Sequence, residues 1–105
     1  MADRRWALLT AASPSLMREF GGDGVVRIDF VAAFPAQNGF AVWLCTSTDH
    51  EATQLRAHPA LISRATSTLA EAGFAAPELH DLVVTVQSQE TVDRDYSGSW
   101  FNALR

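Results

Sequence analysis

Two runs of β-forming residues, Val25 to Ala32 and Phe40 to Thr46, flank the segment Ala33-Phe34-Pro35-Ala36-Gln37-Asn38-Gly39. Pro and Asn-Gly between two apolar runs predict a β-hairpin. Side chains alternate across a strand, so the pairing sorts the residues onto two faces. One face takes Val26, Ile28, Phe30, Phe40, Val42 and Leu44. It is wholly apolar and requires a cover. The other takes Arg27, Asp29, Val31, Ala41, Trp43 and Cys45. It reads as a mixed surface with an apolar spot at Trp43.

The cover is to be sought in helices. Ser13-Pro14 is a helix-start signal, with Ser as N-cap and Pro in the first turn, and Gly21-Gly22 ends that helix after Phe20. Thr48-Asp49-His50-Glu51 fits a capping box for a short helix that Pro59 must end, kink or restart. Beyond it, Leu61, Ile62, Ala65, Leu69 and Ala72 recur at helical spacing, with Arg64, Ser67, Thr68 and Glu71 on the wetter side and Gly73 as the terminating residue. Leu82 to Ser88 reads as a third strand, with Val84 and Val86 toward the core.

Arg5 to Ala11 reads two ways. Trp6, Leu8 and Thr10 alternate as in a strand, while Ala and Leu favour a helix. With a strand there, the order is β-α-β-β-α-β, the ferredoxin-like order, and the chain is a two-layer α+β sandwich with an antiparallel sheet and helices on one face. Without it the order is α-β-β-α-β, still two layers. Both arrangements leave the Trp43 face to be covered by Trp100, Phe101 and Leu104 of the C-terminal segment or by another subunit.

A chain of 105 residues, 48% hydrophobic and 19% charged, suits a single globular domain over residues 1–105. No apolar run approaches the roughly 20 residues of a membrane helix. One cysteine forms no internal disulfide, which favours a reducing, cytoplasmic setting. The net charge is −4. Acidity concentrates between Glu78 and Asp95, where Arg94 is the only Lys or Arg. That balance argues against nucleic acid or an anionic membrane as partner. All eight basic residues are Arg, which excludes Schiff-base chemistry and the P-loop lysine.

Few residues suggest chemistry. Cys45 reads as a small residue packed in a sheet, because a nucleophilic thiol needs a cation or helix N-terminus beside it. His50, His58 and His80 lack the close pairing of metal ligands, so neither metal nor cofactor is expected. Gly21-Gly22-Asp23-Gly24 lacks the spacing of a phosphate loop and reads as a turn. Asn38-Gly39-Phe40-Ala41-Val42-Trp43-Leu44 matches an RNA-recognition segment at Gly39, Phe40 and Ala41 only, and it lacks the base and the stacking aromatics.

The segment Ser88 to Trp100 is the richest in function-bearing types. Glu90, Asp93 and Asp95 stand with Arg94, Tyr96 and Trp100, and Arg, Tyr and Trp are enriched at binding hot spots. The expected function is therefore a small interaction or regulatory module. It would bind a protein partner, one with a basic surface suiting the acidic segment, or itself as a homodimer, through Trp43, Glu90, Asp93, Arg94, Asp95, Tyr96 and Trp100. The alternative is a small-ligand binder or enzyme with Asp93 and Asp95 as acid/base groups and Arg94 as an anion clamp. The bland reading is that these charges pair at the surface while Trp100 packs on the sheet.

Overall fold

The computed structural model describes residues 3–103, and of Phe101 and Asn102 the backbone only. Its elements run α1 (Arg4–Phe20), β1 (Val25–Ala32), β2 (Phe40–Thr46), α2 (Asp49–Arg56), α3 (Leu61–Ala72), β3 (Val83–Ser88), α4 (Gln89–Asp95) and α5 (Trp100–Ala103). Short 3-10 turns lie at Gly21–Asp23 and Ala76–Leu79. The strands form one sheet in the order β1-β2-β3. The architecture is α+β with a mixed three-stranded sheet.

The hairpin forms as its sequence requires. β1 and β2 pair antiparallel, with Ile28 opposite Leu44 and Phe30 opposite Val42. Val26 departs from the expected core face. The register slips between Val25, which faces Thr46, and Arg27, which faces Cys45. A bulged residue shifts the alternation by one, so Val25 is buried and Val26 is 57% exposed.

Three further expectations fail. Arg5 to Ala11 is no strand: it is the first half of α1, a helix capped by Asp3, whose carboxylate accepts from the Arg5 N–H at 2.9 Å. The buried residues Leu9, Ala12, Leu16 and Phe20 follow helical spacing across the whole stretch. The Trp6/Leu8/Thr10 alternation was the weaker pattern, and Trp6 is 42% exposed. Pro14 lies inside this helix instead of starting it. The sheet is also not antiparallel throughout. β3 runs parallel to β2, with Val84 beside Val42 and Val86 beside Leu44. A parallel neighbour needs a long crossover, and α2 and α3 supply it. The ferredoxin-like order is therefore not found.

Helices α1, α2 and α3 cover one face of the sheet. Leu9, Leu16 and Phe20 of α1, Leu55 of α2 and Leu61, Ala65 and Leu69 of α3 form one cluster with Phe40, Val42, Leu44 and Val86. Thr48 and Glu51 make the expected capping box. Gly24, at φ 92°, turns the chain into β1, and a Cβ there would collide with the Glu51 carboxylate. Gly73, at φ 123°, ends α3, and the Phe74 N–H returns to the Leu69 carbonyl at 3.2 Å. On α3 itself two positions differ from the expected faces. Ile62 is 64% exposed, and Thr68 is buried with its hydroxyl donating to the Arg64 carbonyl. Arg64 ties α3 to the end of α1, reaching Glu19 and Asp23 at 2.7 Å each.

Candidate functional site

The second sheet face consists of three cross-strand rows: Arg27–Cys45–Gln87, Asp29–Trp43–Thr85 and Val31–Ala41–Val83. The C-terminal helices reach the first row. Cys45 packs with Val92 of α4 and with Trp100 and Ala103 of α5, and Trp43 borders that cluster. The Arg27 guanidinium lies 5.2 Å from the Trp100 ring centre. The indole N–H of Trp100 donates to Gln89 Oε1 at 2.7 Å, which satisfies its polar edge under burial. Among the described residues, none is seen to cover the third row. Val31 is 44% and Val83 55% exposed, and Trp43 between the rows is half-buried. Leu104 and the Phe101 side chain, also expected as cover, lie outside the described residues.

Glu90 and Arg94 are engaged within the chain. Glu90 accepts from the backbone N–H of Asp49 at 2.8 Å, at the start of α2. Asp49 in turn accepts from the hydroxyls of Ser88 and Thr91 and from Arg94 Nη1 at 3.0 Å. Each helix thus offers its first-turn carboxylate to the other helix's N-terminal end, where negative charge is favoured. The hydroxyls of Ser88 and Thr91, with Arg94, hold the Asp49 carboxyl well below its ordinary value, at about 2. Sequence reasoning gave Asp49 no role beyond its own capping box. Only the fold brings it against residues forty positions away.

The remaining residues of the segment do not converge. Asp93 accepts from Gln89 Nε2 at 2.8 Å, and Asp95 from Arg94 Nε at 3.3 Å. Two positions apart on one short helix, the two carboxylates take different partners and form no shared acid/base pair. Tyr96 is exposed at the helix end, its backbone N–H held by the Val92 carbonyl. Three cavities open elsewhere, about 510 Å³ beside Arg5 and Glu78, about 320 Å³ between α1 and β1, and about 340 Å³ beside Glu51 and His58. None of these three is lined by a residue of the 88–100 segment.

Cys45 is fully buried, and desolvation together with the Asp29 carboxylate pushes its thiol up to about 12. It carries no thiolate near neutrality. Among the described residues, no three His, Cys, Asp or Glu side chains gather as metal ligands, and no buried side-chain polar atom lacks a partner. No described helix is long and apolar enough to cross a membrane. Comparison with family models, with curated proteins and with solved structures returned no match.

Proposed function

We propose that this chain is a small interaction module that acts by binding a protein partner, and that its contact surface is the open part of the second sheet face. The observation that carries this reading is the row Val31–Ala41–Val83, where two β-branched side chains stand about half exposed next to Trp43. Apolar surface left contiguous on a sheet face, with a large aromatic at its border, is the composition of an interface centre. Trp43 borders the buried cluster that contains Trp100. Exposed Asp93, Asp95 and Tyr96 supply polar groups that suit a basic partner surface. Glu90 and Arg94, spent on the α2–α4 joint, hold the segment in place. A reducing, cytoplasmic setting belongs to the same proposal, since one thiol makes no internal disulfide.

The enzyme reading has less behind it, because Asp93 and Asp95 neither share a partner nor line a described cavity. The test is a capture experiment with the immobilised chain. Val31→Glu together with Val83→Glu should lose the proteins that the unaltered chain retains. Ile62→Glu, on the helical side of the molecule, should keep them. Retention by the double variant equal to that of the unaltered chain would reject the open face as the contact surface.

A further inference from the structure

The two outer edges of the sheet are unequal. At β3 the Arg56 guanidinium reaches the Val86 carbonyl at 2.8 Å and closes part of that edge. β1 has a neighbour on one side only, and among the described residues no side chain or loop hydrogen-bonds to its outer edge. Beside that edge lies the cavity of about 320 Å³ between α1 and β1, lined by Trp6, Leu9 and Ser13 from the helix and Ile28 and Phe30 from the strand. An added strand would find backbone donors and acceptors at the edge and, on its helical side, a recess of mixed lining that also includes Thr10 and Asp29.

The charges on β1 specify which strand. Arg27 and Asp29 lie on the same face, two residues apart, and pair with each other at 2.6 Å. We propose that β1 pairs antiparallel with β1 of a second copy of this chain, about a two-fold axis at Ile28. That register sets Arg27 opposite Asp29 of the second copy, and Asp29 opposite its Arg27. It brings residues of equal parity together, so backbone groups directed outward on one strand meet those directed outward on the other. An axis at Asp29 would instead place the two Asp29 carboxylates against each other, and like charges directly opposite are destabilising. An axis at Phe30 would set each Asp29 against a valine. Only the Ile28 axis matches both charges, as an isologous contact requires. The product is a six-stranded sheet in the order β3-β2-β1-β1-β2-β3, with both open faces on one side. The inference stands apart from the partner-binding reading, since it concerns the edge of the sheet and not its face.

The experiment is sedimentation equilibrium on the purified chain over a range of concentrations and salt. The unaltered chain should dimerise, more weakly as salt rises. Asp29→Arg and Arg27→Asp should each weaken the dimer about tenfold or more, because each turns two attractive contacts into two repulsive ones. Mixed in equal amounts, they should form a heterodimer, since every cross-strand charge is again matched. A chain monomeric at every concentration, or an Asp29→Arg dimer as tight as the original, would overturn the proposal. Arg27→Asp also removes the guanidinium from above Trp100. Should that variant not fold, Asp29→Arg and the salt series decide alone. The readout is the mass of the isolated chain, so partner capture by the open face succeeds or fails separately.

Discussion

Asp49 accepts from Ser88, Thr91 and Arg94 while Glu90 accepts from its backbone N–H, so one residue joins the starts of two helices. Its carboxyl titrates at about 2 in the folded chain, against an ordinary value near 3.8. A group whose pKa is depressed by folding stabilises the fold above its unfolded pKa and loses that contribution as the pH falls through the folded one. Asp49 therefore contributes in full above about pH 4 and progressively less toward pH 2. Asp49→Asn should lower the melting temperature at neutral pH, and the gap from the unaltered chain should close across that window. Thermal melts at a series of pH values check this. A gap independent of pH would mean that the ionised form contributes nothing. Asp3, also held at about 2 by its hydrogen bonds from Arg5, acts in the same window in both chains and cancels in the comparison.

At the level of elements, α1 tolerates Pro14 in its interior. Proline has no N–H to give the Thr10 carbonyl, and its ring crowds the preceding turn. The helix persists because Leu9, Ala12, Leu16 and Phe20 are buried on both sides of the proline. Pro14 is itself exposed, so Pro14→Ala should stabilise the fold by about 1–3 kcal/mol, read as a shift in the denaturation midpoint. A loss of stability would show that the ring is packed where it stands. The same helix marks the limit of sequence reading. The Thr48–Glu51 box, the Gly73 stop and the Val84/Val86 face were legible because each rests on a few adjacent residues. The first half of α1 was not, since a two-residue alternation and a helical stripe overlapped there and burial chose between them. The Val26 bulge and the direction of β3 depend on partners far along the chain, and no local signal encodes either. The candidate residues divide similarly. Trp43 and Trp100 stood out by residue type, and Trp100 packs in a buried cluster with Cys45, whereas the Asp49 link to Glu90 and Arg94 exists only in three dimensions.

For the molecule as a whole, the sheet is sealed on one side by three helices and only partly covered on the other by two short ones. Cys45 reports on the thinner cover, because it lies beneath Val92, Trp100 and Ala103. Removing the indole with Trp100→Ala should cost about 3–5 kcal/mol and open a route to the thiol. Labelling of Cys45 by a thiol reagent under native conditions should then outpace global unfolding, while in the unaltered chain the two rates should coincide. Equal protection in both chains would place the seal elsewhere.

The parallel seating of β3 bears on how the chain is assembled during synthesis. After α1, a ribosome releases β1 and β2, and these can zip at once. The outer partner of β2 emerges only after α2 and α3 have left the exit tunnel. Until then the nascent hairpin carries Val42 and Leu44 with one flank vacant. Holding chaperones would find their substrate in that interval, and slowed translation between residues 47 and 82 would prolong it.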